Sequence, residues 1–150
     1  MAFSSDTKTA KIQNHSMDLR NQFHELGWTD LDGMSVNWVS YRESYRNRPL
    51  IFTEFGNNPR KATLFLGGSH GNESPSVYLA FKLAAFLQAN PRYYRNRTII
   101  IAPTVNPDGF LSKVPARTNG KGVDINRNFP TRDWRVTKIE VHVMVREVFA

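Results

Sequence analysis

The stretch "ATLFLGGSHGNESPSVYLAFKLAAFLQ", residues 62–88, decides the fold. Its first five residues are mostly apolar and show no alternation, which predicts a strand whose two faces are both covered. Ser74 can cap a helix whose first residue is Pro75, a position where the missing N–H costs nothing. The predicted helix runs to about Gln88 and is apolar on most sides, so we expect it to be buried.

A second apolar strand follows this helix. The segment "TIIIAPTV", residues 98–105, completes a βαβ unit, whose crossover is expected to be right-handed. The loops after the two strands, "SHGNE" and "NPDGF", therefore leave the same edge of an α/β sheet, which is where such sheets bind ligands. A further strand is predicted for "PLIFTEFG", residues 49–56.

The beginning of the chain is more polar. Residues 1–15 are predicted to form a polar arm, and "SMDLRNQFHELG", residues 16–27, a short helix capped by Ser16. A chain of 150 residues has the length of one domain. We place that domain at residues 16–134.

The formal charge of +7 favours anionic partners. The tetrapeptide Tyr-Arg-Asn-Arg occurs at residues 45–48 and again at 94–97. Aromatic and basic residues mixed in this way can bind nucleic acid. The alternative is two solvated segments that lead into strands. We favour the alternative and expect no nucleic-acid partner.

The composition also bears on the compartment. The chain has no cysteine, which excludes disulfides and thiolate zinc sites. No apolar run approaches the roughly 18–20 residues of a membrane span, and the first residues lack the apolar core of a secretory signal. We therefore expect a cytoplasmic protein without a membrane partner.

His70 and Glu73 raise a chemical question, because a strand-to-helix turn needs neither an imidazole nor a carboxylate. Catalytic zinc commonly has three protein ligands and one position for water, and it lowers the pKa of that water towards about 7. A His-x-x-Glu pair can place two such ligands about one ion. The alternative is a polar turn in which Glu73 stabilises the helix N-terminus.

The loop "RTNGKGVDINRNFP", residues 117–130, adds groups that suit a carboxylate ligand. Arg117 and Arg127 carry guanidinium forks that can bind a carboxylate in bidentate fashion, and Asn126 offers an amide donor. Asp124 can accept the second N–H of a metal-bound histidine. The alternative is a basic surface loop with apolar anchors.

Together these motifs resemble a known family. "GGSHGNE", "NPDGF", "RTNGKGVDINRNFP" and "TRDW", in this order and spacing, resemble the zinc metallocarboxypeptidases, with the murein peptide amidase branch nearest. "HGNE" and "D-x-N-R-x-F" also occur in the aspartoacylase and succinylglutamate desuccinylase group, so an N-acyl amino acid deacylase stays an alternative. The Asn-Pro-Asp-Gly turn favours the carboxypeptidase side.

The resemblance implies a role for each matching residue. His70 and Glu73 would be ligands of one zinc ion, with Asp124 orienting His70. Arg117 would polarise the scissile carbonyl and stabilise the oxyanion. Asn126 and Arg127 would hold the terminal carboxylate of a peptide, a murein peptide being one such substrate.

The fold implied by the resemblance is a three-layer α/β/α domain with a mixed, partly parallel sheet. This chain would supply its N-terminal half, and residues 135–150 would be a divergent tail that reads as a strand around Val141, Val143 and Val145. Loss of half the sheet would expose an edge through which chains can self-associate.

The family pattern also includes a third histidine ligand and a general-base glutamate later in the chain, and neither is found. The remaining candidates, His142, Glu140 and Glu147, have no setting that favours these roles. A truncated, catalytically inactive remnant that binds carboxylates is therefore a second hypothesis.

Overall fold

The computed structural model describes residues 5–30 and 35–129, which form a mixed α/β fold. Four strands make one sheet in the order β1-β2-β4-β3. The β3–β4 pair is parallel, and the β1–β2 and β2–β4 pairs are antiparallel, which confirms the predicted partly parallel sheet. The strands are β1 (Val39–Glu43), β2 (Pro49–Gly56), β3 (Ala62–Leu66) and β4 (Thr98–Ala102), and the helices are α1 (Ser5–Glu25), α2 (Ser74–Ala89) and α3 (Pro107–Phe110).

The βαβ unit of β3, α2 and β4 has the predicted arrangement. Helix α2 begins at Ser74, one residue before the predicted start, and Pro75 lies in its first turn, where no backbone N–H is needed. Beyond the strands, the Gly67 N–H donates to the Ala102 carbonyl over 2.8 Å, and the Val105 N–H donates to the Gly67 carbonyl over 3.0 Å. The two loops that follow β3 and β4 are thus held together at one edge of the sheet.

The core lies between the sheet and helices α1 and α2. Phe23 of α1 is fully buried, and its ring centroid lies 5.9 Å from that of Phe81 and 5.3 Å from that of Phe110. Aromatic pairs at these separations add to the stabilisation that burial gives. One face of the sheet is therefore well packed. Its core residues include Leu19, Phe23, Ile51, Val77, Phe81 and Ile101.

Helix α1 corrects the predicted polar arm. It begins at Ser5, so the prediction for residues 1–15 is wrong from residue 5 onwards. Ser16 is not a cap, because its hydroxyl donates to the Ile12 carbonyl inside the helix. The helix extends this far because Ile12 and His15 continue the inward stripe of Leu19, and His15 is a polar residue buried in a core position.

Strand β3 differs from its prediction as a strand covered on both faces. All five of its residues are exposed, with Leu64 at 58% and Leu66 at 51%. In the described residues β3 pairs only with β4 and forms the edge of the sheet. An apolar run predicts a strand that prefers burial, but it does not say whether the covering elements are present.

The two Tyr-Arg-Asn-Arg segments adopt turns with the same unusual backbone. Asn47 has φ 59° and Asn96 has φ 58°, a left-handed conformation that asparagine tolerates. One turn leads into β2 and the other into β4, and these strands are antiparallel, so the turns lie at opposite ends of the sheet. Within the same described ranges, none of the helices has the length and apolar character needed to cross a membrane.

Candidate active site

The loop after β3 is shaped by glycine. Gly68 has φ +59°, which disfavours a side chain. Gly71 packs so closely on the α3 turn that an added Cβ would lie 2.1 Å from the carbonyl carbon of Gly109. This packing buries His70 to 4% exposure, while Glu73, just before α2, stays open to solvent.

His70 lies between two carboxylates. Its Nδ1 is 2.9 Å from Oε1 of Glu73, and its Nε2 is 2.9 Å from Oδ1 of Asp124. Asp124 comes from the loop more than fifty residues later, so the fold and not the local turn creates this contact. The sequence predicted that these three side chains lie together, and the structure brings them together.

Asp124 is also bound to Arg117. The Arg117 Nε donates to Oδ2 of Asp124 over 2.7 Å, and its Nη1 lies 3.9 Å from Oε1 of Glu73. Burial alone would raise the pKa of Asp124, but hydrogen bonds from Arg117 and His70 outweigh it and leave the pKa below its ordinary value. Asp124 is therefore an ionised acceptor at neutral pH.

The hydrogen bonds test whether the donor set fits a metal. A neutral imidazole has one N–H, and the ionised Asp124 assigns it to Nε2. The lone pair of Nδ1 then faces a Glu73 oxygen 2.9 Å away, so two acceptors face each other. A zinc ion lies about 2 Å from each nitrogen or oxygen ligand, so both atoms can reach one ion. His70 and Glu73 fit a shared zinc ligand pair.

Asn126 and Arg127 lie on a short 3₁₀ turn next to Asp124 and are exposed. The Asn126 N–H donates to Asp124, and the Arg127 guanidinium donates to the Asn126 carbonyl over 2.9 Å. In the part of the chain that the structure describes, neither side chain hydrogen-bonds to His70, Glu73 or Arg117. They lie beside the cluster and are free to meet a ligand from solvent.

A family model described as zinc carboxypeptidase matches residues 32–147. The chain belongs to the zinc carboxypeptidase family. This confirms the resemblance that the four motifs indicated.

Individual relatives support the same assignment. Murein peptide amidase A of Escherichia coli K12 is 35% identical over 95 residues, which cover 63% of this chain and 36% of that protein. The Vibrio campbellii protein of the same name is 30% identical over 124 residues, covering 80% and 47%. The crystal structure of murein-tripeptide amidase from E. coli O157 aligns with a TM-score of 0.50 at 33% identity, covering 66% and 39%. The chain thus spans less than half the length of these relatives.

Asn106 is a structural centre of the His70 cluster that the sequence reasoning did not identify. It is 1% exposed, and its amide nitrogen donates to the carbonyls of Ser69 and Thr118 over 3.3 and 3.1 Å. Its Oδ1 accepts the Gly109 N–H over 2.9 Å. Asn106 therefore ties the His70 loop to the Arg117 loop. A polar residue within an apolar run, "IIIAPTVNP", was the signal for it.

Asp108, from the same motif, organises the opposite side of α3. It is 3% exposed and accepts hydrogen bonds from the Ser44 hydroxyl over 2.6 Å and from the Arg46 N–H over 3.1 Å. The Arg48 Nε is 3.7 Å from its Oδ1. The sequence predicted "NPDGF" as a simple turn. Through Asn106 and Asp108, this turn is hydrogen-bonded to three loops: the His70 loop, the Arg117 loop and the loop of residues 44–48.

The described residues offer two candidate zinc ligands, His70 and Glu73, whereas a catalytic zinc commonly has three protein ligands. In residues 5–30 and 35–129 no group of three His, Cys, Asp or Glu side chains is placed to hold a metal. His15 and His24 lie on α1, outside the His70 cluster. The motif "TRDW" and the residues Glu140, His142 and Glu147 lie outside the described residues.

Proposed function

We propose that this chain carries the first two zinc ligands and the carboxylate-binding arginines of a metal-dependent peptide hydrolase. The reaction is cleavage of an amide bond next to a free terminal carboxylate. The observation that supports this most directly is the placement of His70 between Glu73 and Asp124 at 2.9 Å from each. Peptidase-type hydrolysis agrees with membership of the zinc carboxypeptidase family.

The chain's own residues have separable roles in this proposal. One zinc ion, when bound, supplies Lewis acidity and an activated water. Asp124 accepts the Nε2 proton of His70 and so directs the Nδ1 lone pair towards Glu73. Asp124 also holds the Nε of Arg117, whose remaining N–H groups can donate to a carbonyl oxygen that gains charge during the reaction.

Substrate binding is assigned to the exposed groups on the neighbouring turn. The guanidinium of Arg127 and the amide of Asn126 can bind a terminal carboxylate, and the net charge of +7 favours such an acidic substrate. Because the murein peptide amidases are among the relatives, we propose a short murein-type peptide as the substrate. The proposed compartment is the cytoplasm.

A second candidate function is carboxylate binding without turnover. It is favoured by the count of candidate metal ligands, because residues 5–30 and 35–129 supply two and no group of three. In this case Arg117, Asn126 and Arg127 keep their binding role, and zinc binds less tightly than at a site with three ligands. Deacylation of N-acyl amino acids is the remaining alternative, because the aspartoacylase and succinylglutamate desuccinylase group shares the "HGNE" and "D-x-N-R-x-F" motifs with this chain.

Hydrolysis can be tested with the purified chain and added zinc, using a murein tripeptide substrate and an N-acetyl amino acid in parallel. The proposal expects zinc-dependent release of the terminal fragment from the peptide, lost in His70→Ala and kept in His24→Ala, which changes an exposed histidine. Peptide binding without release would favour the carboxylate-binding function. Turnover that survives His70→Ala would contradict a zinc mechanism.

A further inference from the structure

Strand β3 is exposed on both faces and along one edge. Leu64 and Leu66 lie on the face opposite α1 and α2, where they line a cavity of about 700 Å³. Because side chains alternate along a strand, Phe65 lies on the other face, and it is also 43% exposed. The outer edge of β3 has no partner strand among residues 5–30 and 35–129. An apolar strand exposed in this way is a surface that proteins normally cover.

The two outer strands of the described sheet differ in how they resist further pairing. Strand β1 carries Arg42 and Glu43, and its register with β2 shifts between Ser40 and Arg42. Charges and irregular register are features that discourage another strand. Strand β3, with the sequence "ATLFL", has no charge and no proline, and its register with β4 is regular. Its edge is therefore suited to accept a strand.

The backbone direction of β3 determines which hydrogen-bonding groups are available at this edge. Gly67, which continues the strand, directs both its N–H and its carbonyl to the β4 side. Successive residues of a strand direct these groups to opposite sides, so every second residue before Gly67 also faces β4. The remaining residues, Ala62, Leu64 and Leu66, direct their N–H and carbonyl groups outwards.

We propose that two copies of this chain pair their β3 strands in antiparallel fashion about a two-fold axis at Leu64. Leu64 then lies opposite Leu64 of the second copy and Ala62 lies opposite Leu66, so the outward groups of all three residues are paired. An axis one residue to either side would place Ala62 or Leu66 opposite a residue outside the strand. This inference does not depend on the proposed function, since it concerns only how the sheet edge is covered.

The charges next to β3 favour a second copy in this direction. Arg60 and Lys61 precede the strand and make its amino end basic. In the two-fold register Lys61 lies opposite Gly67 of the second copy and Arg60 lies opposite Gly68, so no like charges face each other. A parallel pair would bring the two basic ends together, and like charges on opposed residues destabilise a strand pair. Strand β3 is thus complementary to itself when antiparallel.

Cysteine trapping tests this pairing, because the chain has no cysteine and only introduced thiols can react. Residues that face each other on adjacent strands have Cβ atoms within about 5.5 Å, close to disulfide geometry. We expect Leu64→Cys to form a disulfide-linked dimer at least about ten-fold faster than Leu79→Cys, because the paired strands hold the two thiols together. Leu79, on α2, is the matched control, since it is 63% exposed and Leu64 is 58% exposed. Equal rates would contradict the pairing.

Sedimentation equilibrium on the full chain provides a second readout, and the unchanged chain is expected to be a dimer. Leu64→Lys puts two like charges opposite each other and should raise the dimer dissociation constant by at least about ten-fold. Leu79→Lys, the same change on α2, should leave that constant unchanged. The cysteine variants keep the proposal testable if Leu64→Lys does not fold. A monomeric unchanged chain would show that no second copy occupies the edge, and assemblies larger than a dimer would show a contact without two-fold symmetry. Either result would overturn the proposal.

Discussion

Two buried histidines, one in the loop after β3 and one beneath α1, have opposite surroundings. His70 is 4% exposed and His15 is 2% exposed. Both ring nitrogens of His70 face carboxylate oxygens at 2.9 Å, whereas neither ring nitrogen of His15 has a hydrogen-bond partner among residues 5–30 and 35–129. Burial alone therefore does not distinguish a candidate ligand histidine from a core histidine. The hydrogen-bond partners of the two ring nitrogens distinguish them.

The surroundings of His15 explain why it is buried in its neutral form. Its pKa is lowered from 6.5 to about 4, first by burial and then by the Arg48 charge, while Asp108 acts in the opposite direction. His15 is thus neutral at pH 7. The two regions meet at α3. Asn106 donates to the Ser69 carbonyl in the His70 loop, whereas Asp108 accepts the Arg46 N–H and, together with Arg48, acts on the pKa of His15.

The largest expected effect is that of Asn106→Ala. It would leave the partly buried carbonyls of Ser69 and Thr118 and the buried Gly109 N–H without this partner, so we expect the free energy of unfolding to fall by about 3 kcal/mol. Urea unfolding followed by circular dichroism measures this. Asn72→Ala, an exposed asparagine of the same loop, is the control and should stay within about 0.5 kcal/mol of the unchanged chain. Equal losses in both variants would refute the linking role of Asn106.

A second prediction concerns pH and the region beneath α1. The folded pKa of His15, about 4, is below the unfolded value of 6.5, so the unfolded state binds the proton first as the pH falls. The contribution of neutral His15 is fully present above pH 6.5, and about 3 kcal/mol is lost between pH 6.5 and 4. The difference in unfolding free energy between the unchanged chain and His15→Leu should show this slope.

His24→Ala, on the exposed side of the same helix, is the matched control and should keep the pH dependence of the unchanged chain. An identical pH profile for His15→Leu would mean that His15 is not buried in its neutral form.

A smaller effect is expected for Asp124→Asn. Removing the carboxylate that orients a zinc-binding histidine typically lowers metal affinity by about 10–100-fold. Zinc titration by calorimetry should show such a loss for Asp124→Asn, whereas Asp30→Asn, an exposed acid paired with Lys82 on α2, should leave the affinity unchanged. Unchanged affinity in Asp124→Asn would separate Asp124 from the metal and assign its contacts to loop structure alone.

The sequence allowed the βαβ unit and strand β2 to be predicted because their apolar runs are long and their ends carry glycine or proline. The meeting of His70 with Asp124 was predicted from the acceptor chemistry of the carboxylate and from the family motifs. The length of α1 could not be predicted from the hydrophobic pattern, because His15 is a polar residue in a core position. The exposure of β3 depends on elements outside its own segment. Asn106 was missed because its amide binds backbone groups, and a polar residue in an apolar run does not show which groups it binds.

The most direct test of the central claim, that His70 and Glu73 share one zinc ion, is a zinc titration of the purified chain and of His70→Ala and His24→Ala. We predict one zinc per chain for the unchanged protein and for His24→Ala, and loss of that binding in His70→Ala. Equal zinc binding in His70→Ala and the unchanged chain would contradict the account.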